Sequence, residues 1–303
     1  MAISAIFVAA AVLPLLAATP PNPALPAGAV DIIAVAVGRD ERMTVPVRIG
    51  TSGPYDFLVD TGSERTVLAR DIALRLRLVP AGSATLVGIA GSEIVDLVEV
   101  DEINLGRRSF YGLTAPLIEG HFIGADGILG IDSLQEQRVL LDFDKKQMLV
   151  GDAASLGGNK GFEIVVQARR RSGQLIMANA LIDGVRTDIV IDTGSDTSIG
   201  NRALQRALAR RHKGETTQLI SVTGQSITAD VGVAQTFKLE SLTINNTAIA
   251  FADTIAFEKL GLGKRPALLM GMNQLRLFHR VAIDFATRRV LFDMPLSAMA
   301  HLP

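Results

Sequence analysis

The sequence predicts an all-β chain, mostly strands with short helices, built as two lobes on one plan. Three observations carry this. In 303 residues there are 28 Gly and 12 Pro, which punctuate the chain too often for long helices and suit many short strands. Apolar runs of strand length end repeatedly at turn residues. Finally, the second half repeats the first, element by element, which marks a duplicated domain.

The repeat is read from four matches in the same order. "FLVDTGSERT" from Phe57 and "IVIDTGSDTS" from Ile189 share Asp-Thr-Gly-Ser at an offset of 132 residues. "LVGIAG" (Leu86 to Gly91) matches "LISVTG" (Leu219 to Gly224) at 133, and "ILGIDSL" (Ile128 to Leu134) matches "LMGMNQL" (Leu269 to Leu275) at 141. "VLLDFDKKQML" (Val139 to Leu149) matches "VAIDFATRRVL" (Val281 to Leu291) at 142. The chain therefore divides into a leader over 1–28, a first lobe over 29–150, a small polar linker over 151–161 and a second lobe over 162–303.

The leader is set apart by composition. Ala2 to Ala18 carries no charge, and Thr19 to Pro26 is rich in Pro and Ala. It reads as a secretory signal with small-residue cleavage points near Ala18 or Ala29, although no Lys or Arg precedes the apolar run. An uncleaved membrane anchor is the alternative, since the run approaches the length of a spanning helix. The expected location is exported, periplasmic or secreted, with membrane contact only through an uncleaved anchor.

Within each lobe the order of elements is the same. "MTVPVRIG" and "YDFLVD" flank the turn "TSGP", and "QLIMANALIDG" and "TDIVID" flank Gly184, both strand–turn–strand signals. A short helix follows each acidic turn, over Ala69 to Leu76 and over Asn201 to Arg211, the latter with a basic end that suits a helix C-terminus. A last hairpin is expected around Asp142 to Lys146 and again around Asp284 to Arg289. "RRR" at Arg169 to Arg171 and "RRHK" at Arg210 to Lys213 read as solvated surface.

Several function classes drop out. Thirty basic against thirty-one acidic residues give a net charge of −1, so no general attraction to nucleic acid is expected. The chain has no Cys, which excludes thiol catalysis and Cys-based metal sites. The four His show no zinc spacing, and neither a Gly-rich phosphate loop nor a nucleophile elbow is present. No metal and no cofactor are expected.

The acidic turns carry the chemistry. An Asp ending an apolar strand is costly to bury unless its carboxylate is hydrogen-bonded. Gly62 and Gly194 let backbone N–H groups approach it closely, while Thr61, Ser63, Thr193 and Ser195 supply hydroxyls. One such turn has a purely structural reading as an Asx turn. Two copies on duplicated lobes allow a pseudo-twofold axis to set Asp60 against Asp192. Carboxylates that close share one proton, so the ionised member takes a proton from water while the other polarises a carbonyl.

On these motifs the chain resembles the aspartic proteases of the retropepsin-like and pepsin-like clan, most of all an exported bacterial enzyme with two retropepsin-like repeats in one chain. Asp60-Thr61-Gly62-Ser63 and Asp192-Thr193-Gly194-Ser195 match the catalytic motif, and Ile128-Leu129-Gly130 and Leu269-Met270-Gly271 look like the second signature, which packs beneath each catalytic loop. The resemblance runs from about Asp40 to the C-terminus. It implies a bilobal acid-protease fold of two pseudo-twofold-related β-barrel lobes, and a monomer holding both catalytic Asp. It also implies a peptide or protein substrate, extended across the interlobe cleft and cut by an activated water. Flap hairpins are placed at Val87, Gly88, Ile89, Ala90 and Gly91 and at Ile220, Ser221, Val222, Thr223 and Gly224. Neither Tyr55 nor Tyr111 lies in them, unlike the flap Tyr usual in the pepsin branch.

Asp60 and Asp192 are thus the expected catalytic pair, with Thr61 and Thr193 bracing the two loops through hydroxyl-to-backbone bonds. Ser63 and Ser195 are expected to donate to the carboxylates, lower the pair's pKa and give an acid-leaning activity profile. Asp56, Asp126, Asp132, Asp142, Asp188 and Asp284 are read as structural. The alternative function on the same fold is binding of extended peptides without cleavage. A glycosidase also uses two carboxylates, but in unequal roles that a duplicated motif does not suit. A phosphotransfer loop would place Lys after the Asp, where this chain has Thr.

Overall fold

The computed structural model describes residues 2–4, 9–11, 29–38, 42–134, 137–208 and 215–294. Most of the leader, Ala18, Arg210 to Lys213 and the end of the second expected helix lie outside them. Strands hold 54% of the residues and helices 11%, so the molecule is a β protein. Among the described residues no helix is long and apolar enough to cross a membrane.

Two short strands come from the leader, β1 (Ala2–Ser4) and β2 (Ala9–Ala11). The first half continues with β3 (Asp31–Ala34), β4 (Ala36–Val37), β5 (Met43–Ile49), β6 (Ser52–Val59) and β7 (Val67–Ala69). Next come the helix α1 (Arg70–Leu76), β8 (Pro80–Val87), β9 (Ser92–Leu105), β10 (Arg108–Ile118), the helical turn α2 (Gly120–Ile123) and β11 (Gly127–Leu129). β12 (Arg138–Asp142) and β13 (Gln147–Gly151) close the half as a hairpin. In β5 every second residue is buried, the period of a strand with one face on the core.

The second half repeats this order. It runs β14 (Ile164–Gln167), β15 (Arg169–Arg171), β16 (Gln174–Ile182), β17 (Val185–Ile191) and β18 (Ile199–Gly200). The helix α3 (Arg202–Ala207) follows, then β19 (Glu215–Ile220), β20 (Ser226–Leu239), β21 (Leu242–Phe251), α4 (Ile255–Lys259), β22 (Ala267–Met270) and α5 (Met272–Leu275). β23 (Arg280–Asp284) and β24 (Arg289–Asp293) end it.

Local chemistry sets the boundaries. The β16–β17 turn uses Asp183 and Gly184, both at positive φ, the two-residue hairpin that matches strand twist. Both helices start one residue later than expected. Asn201 is the N-cap of α3, its side chain accepting from Leu204 N–H at 2.8 Å, and Ala69 ends β7 in extended geometry. The Arg169–Arg171 run is an exposed edge strand, paired with β16.

Each half closes a barrel of six strands. In the first, β9, β10, β7, β11, β6 and β5 pair in turn, and β5 returns to β9. In the second, β20, β21, β18, β22, β17 and β16 do the same, and β16 returns to β20. The two share one pattern of parallel and antiparallel pairings, so the repeat seen in the sequence is a repeat of topology. β8 and β19 lie outside the closed ring, each forming a hairpin with the long strand that follows it.

A third sheet joins the halves in the order β14-β24-β23-β12-β13-β3. Its centre is the antiparallel pair β12–β23, with Leu140 opposite Ala282 and Arg138 opposite Asp284. Arg138 Nη2 meets Asp284 Oδ2 at 2.7 Å, with the two side chains 2% and 1% exposed. The guanidinium also donates to Asn159 Oδ1 at 3.2 Å and to the Gly158 carbonyl. Its repeat counterpart, Arg280, turns instead to Asp293 of its own half. The expected linker over 151–161 runs as turns beside this sheet and supplies those partners to Arg138.

Candidate active site

Asp60 and Asp192 each stand one residue past a barrel strand, β6 and β17. Asp60 N–H donates to Leu129 O at 3.1 Å, and Asp192 N–H donates to Met270 O at 3.0 Å. The apolar-apolar-Gly segments therefore run beside β6 and β17, and their glycines lie against the loops. Ile128 and Leu129 pair parallel with Leu58 and Val59, and Leu269 and Met270 with Val190 and Ile191. Gly130 and Gly271 let that strand pass the loop. A Cβ on Gly271 would lie 2.6 Å from the Thr197 carbonyl group, and one on Gly130 would collide with the Arg65 carbonyl.

A second layer fastens each loop. Thr66 donates N–H and hydroxyl to Asp132 Oδ1, at 2.9 and 2.7 Å, and accepts from Gly130 N–H at 3.2 Å. In the repeat, Ser198 donates to Asn273 Oδ1 at 3.1 and 2.9 Å and accepts from Gly271 N–H at 2.9 Å. Asp132 thus has a structural place.

The two loops are braced against each other. Thr61 Oγ1 donates to Ile191 O at 3.0 Å, and Thr193 Oγ1 donates to Val59 O at 2.7 Å. Each hydroxyl also accepts from the backbone N–H of the opposite Thr, at 3.0 Å into Thr193 and 3.3 Å into Thr61. All of this is buried. Thr193→Val would strip Val59 O and Thr61 N–H of their partners, at about 1–3 kcal/mol for each unsatisfied group. We expect thermal melting to show most of that loss in Thr193→Val and little of it in Thr193→Ser; equal losses in the two would remove the brace as the cause.

Glycine is what lets the acids meet. A Cβ on Gly62 would sit 2.8 Å from Asp192 Oδ1, and one on Gly194 would collide with the Asp60 carboxyl group. Each carboxyl group thus lies against the glycine of the opposite loop. Asp60 Oδ1 accepts from Gly62 N–H at 2.7 Å and Ser63 N–H at 3.0 Å, while Asp192 Oδ1 accepts from Gly194 N–H at 3.1 Å. Both Oδ2 atoms are buried with no hydrogen-bond partner among the described residues, a costly state for a carboxylate and a strong pull towards the protonated form.

The electrostatics follow. Burial pushes Asp60 up to about 7, opposed by the Gly62 and Ser63 amides and the charge of Arg42. Burial and the neighbouring Asp60 charge push Asp192 well above the usual carboxylate range, opposed by the Gly194 and Ser195 amides. This corrects the expectation for the serines. Ser63 Oγ donates to Arg65 O and Ser195 Oγ to Thr197 O, both at 2.7 Å, so neither hydroxyl reaches a carboxylate. Desolvation wins, and the pair's pKa is raised, not lowered.

The structure adds two residues that the motifs do not contain. Gln174 Nε2 donates to Gly62 O at 2.6 Å across the lobes, and its side chain is 1% exposed. Its counterpart at the Asp60-to-Asp192 offset is Arg42, also buried, which donates to Ile123 O at 2.9 Å. That shared offset of 132 residues is the signal that finds both.

The flap candidates form two hairpin tips that touch. Gly88 N–H donates to Gly91 O at 2.9 Å, and Ser221 N–H donates to Gln225 O at 2.8 Å. Gly224 sits at φ +76°, the left-handed region open to glycine. A side chain on Gly88 or Gly91 would strike Ser221 or Gln225. Each tip also reaches into the other half. Val87 and Ile89 pack with Ile176, Val190 and Ile199, and Ala90 packs against the same cluster. Val222 and Thr223 line a groove with Arg70, Leu117 and Phe122. Ile220 continues β19 to the second tip.

Compared with known families, a model described as aspartyl protease matches residues 45–133 and 178–274, one match on each half. Each match contains an Asp-Thr-Gly-Ser turn, a flap tip and an apolar-apolar-Gly strand. No curated protein matches the chain.

Proposed function

The chain belongs to the aspartyl protease family, and on that premise we propose that it is an endopeptidase in which Asp60 and Asp192 share one proton and activate a water. The observation that supports this most is the buried approach of each carboxyl group to the glycine of the opposite loop, with both Oδ2 atoms unpartnered. A module that binds peptide without cutting it has no use for two desolvated acids at such cost.

The asymmetry of the pair suggests the roles. Asp60 has two amide donors and the Arg42 charge to stabilise its ionised form, whereas Asp192 is raised further by Asp60 and by Asp196. In this reading Asp60 takes a proton from water as the hydroxide adds to the scissile carbonyl carbon. Asp192 gives its proton to the carbonyl oxygen, forming a gem-diol. The C–N bond then breaks as the leaving nitrogen takes the proton held by Asp60, and Asp192 recovers one from the collapsing diol. No metal or cofactor takes part in these steps. The peptide lies extended across the interlobe cleft under the flap hairpins, and one chain supplies the whole site. The uncharged run Ala2 to Ala18 supports export, to the periplasm or beyond.

Incubation with a peptide library over a range of pH tests this reading. We expect cleavage blocked by a statine-type mimic of the gem-diol, with new termini found by mass spectrometry. Because burial raises both acids, the midpoint of the acid limb should lie nearer neutral than pH 4, as the doubly protonated pair loses its first proton late. A limb already at its plateau at pH 4 would count against the desolvated pair, and a folded chain that cleaves nothing would favour the peptide-binding alternative.

A further inference from the structure

The duplication supplies an internal control beside the flaps. Arg70 and Arg202, the first residues of α1 and α3, stand 132 residues apart and hold matching partners. Arg70 donates to Asp96 Oδ2 at 2.8 Å and to Glu119 Oε1 at 2.9 Å. The Arg202 side chain donates to Asp230, and its backbone N–H to Asp253 Oδ1 at 3.1 Å. Asp230 and Asp253 lie 134 residues beyond Asp96 and Glu119. What both halves keep is framework, since each arginine fastens a helix to the strand that returns from a flap tip. Recognition is to be sought where the halves differ.

They differ at a groove. In the first half a space of about 100 Å³ lies between β9, the end of β10 and the second flap tip. A water's share of the liquid is about 30 Å³, so this space has room for one side chain. Leu117, Phe122 and Val222 wall it, and Glu93 and Glu119 line it. A side chain on Gly224 would strike the Phe122 ring, so the flap tip rests on that wall. In the second half the same place is filled. Glu93 stands opposite Leu86 in its hairpin, and the residue opposite Leu219 is Ile227. Ile227 packs on the cluster that holds Ile89 and Phe257, and Phe257 is 1% exposed. Phe257 belongs to α4, which follows β21 as α2, with Phe122, follows β10.

We propose that this groove is a side-chain pocket of the peptide cleft, that it takes a lysine or arginine of the substrate, and that Glu93 selects it. The cut itself rests on the endopeptidase reading, whereas binding of the side chain stands apart from it and is measured apart. Charge argues for a cation. Arg70, Asp96, Glu119 and Glu93 together carry one positive and three negative charges. Arg70 is committed to Asp96 and Glu119, while Glu93 is exposed and has no ion-pair partner among the described residues. The apolar stem of a lysine or arginine lies along Leu117 and Phe122 while its head meets Glu93, and the Phe122 face attracts the cation further. An apolar side chain would desolvate Glu93 without pairing it, and an acidic one would be repelled. The cleft is therefore one-sided, with a basic residue wanted on one side of the cut only.

Binding is read first, on the Asp60→Asn chain so that no cutting intervenes. The probe is a positional-scanning peptide library with lysine, norleucine or glutamate at each position in turn. At one position lysine should bind at least about tenfold tighter than norleucine, as a hydrogen bond to a charged group gives. Adding Glu93→Gln should lower that ratio at least about fivefold, and adding Glu93→Lys should turn the preference at that position to glutamate. A structural Glu93 would shift lysine and norleucine peptides alike. The variants should melt with the parent, because an exposed substitution of this kind moves stability little. The chain with both Asp intact should then cut the lysine peptides best, at a fixed distance from that lysine. A ratio unmoved by Glu93→Gln, or no position that favours lysine in binding, overturns the proposal. Lysine-selective binding without any cleavage by the chain with both Asp intact would leave the pocket standing and end the peptidase reading instead.

Discussion

Asp60→Asn and Asp192→Asn are each expected to lower peptide hydrolysis by about a thousandfold or more, with little change in KM and no loss of fold. Each removes one partner of the shared proton, and positioned acid–base groups contribute on the order of 10²–10⁴ in rate. Asn keeps the shape and the Oδ1 acceptor for the loop amides. Stability separates the two roles of the acids. Asp60 rises from 3.8 in its ordinary state to about 7 when folded. The folded chain therefore holds a proton that the unfolded chain has released, and its stabilisation is full below about 3.8 and lost as pH rises through about 7. Thermal melting of the parent should fall across that window, and Asp60→Asn should flatten the slope and melt higher at neutral pH. A variant that is inactive yet keeps the parent's slope would mean that Asp60 is not the buried titrating group.

The second large effect is structural. Arg138→Met should destabilise the chain by about 3–5 kcal/mol, because it leaves Asp284 charged, buried and without its guanidinium. That corresponds to a fall in Tm of roughly 5–8 °C for a chain of this size. Arg138→Met combined with Asp284→Leu should recover at least half of the loss, since replacing both members of a buried pair by apolar residues is often neutral. Arg280→Met should cost much less, because Arg280 is 31% exposed and water takes over part of its role. If Arg138→Met and Arg280→Met lowered the Tm equally, the interlobe pair would not be a special contributor.

Several parts of this architecture were readable before the structure, for a physical reason. A turn in which backbone amides must reach a carboxylate admits few residues, so Asp-Thr-Gly-Ser and the two apolar-apolar-Gly strands stand out and recur in step. The directions of the Ser63 and Ser195 hydroxyls were not readable, because the competing acceptors, Arg65 O and Thr197 O, exist only once the loop has turned. Gln174 and Arg42 are not legible from residue type, because their types differ; position alone relates them, and the duplicated barrels make position the better guide. The crossing of the flap tips was equally hidden. Ile89 is an ordinary apolar residue, and nothing local says that it shares a buried cluster with Ile176 and Val190 of the other half.

The third sheet bears on ancestry. Its centre sets β12 of one half against β23 of the other, so either half alone would leave that edge bare and ready to accept a second copy of itself. In such a self-paired ancestor Arg138 would face the Asp142 of its twin, twice over, as symmetry requires. A single polypeptide is under no such obligation. Here Arg138 pairs across the halves while Arg280 pairs within its own, and Arg42 and Gln174 differ at one shared position of the repeat.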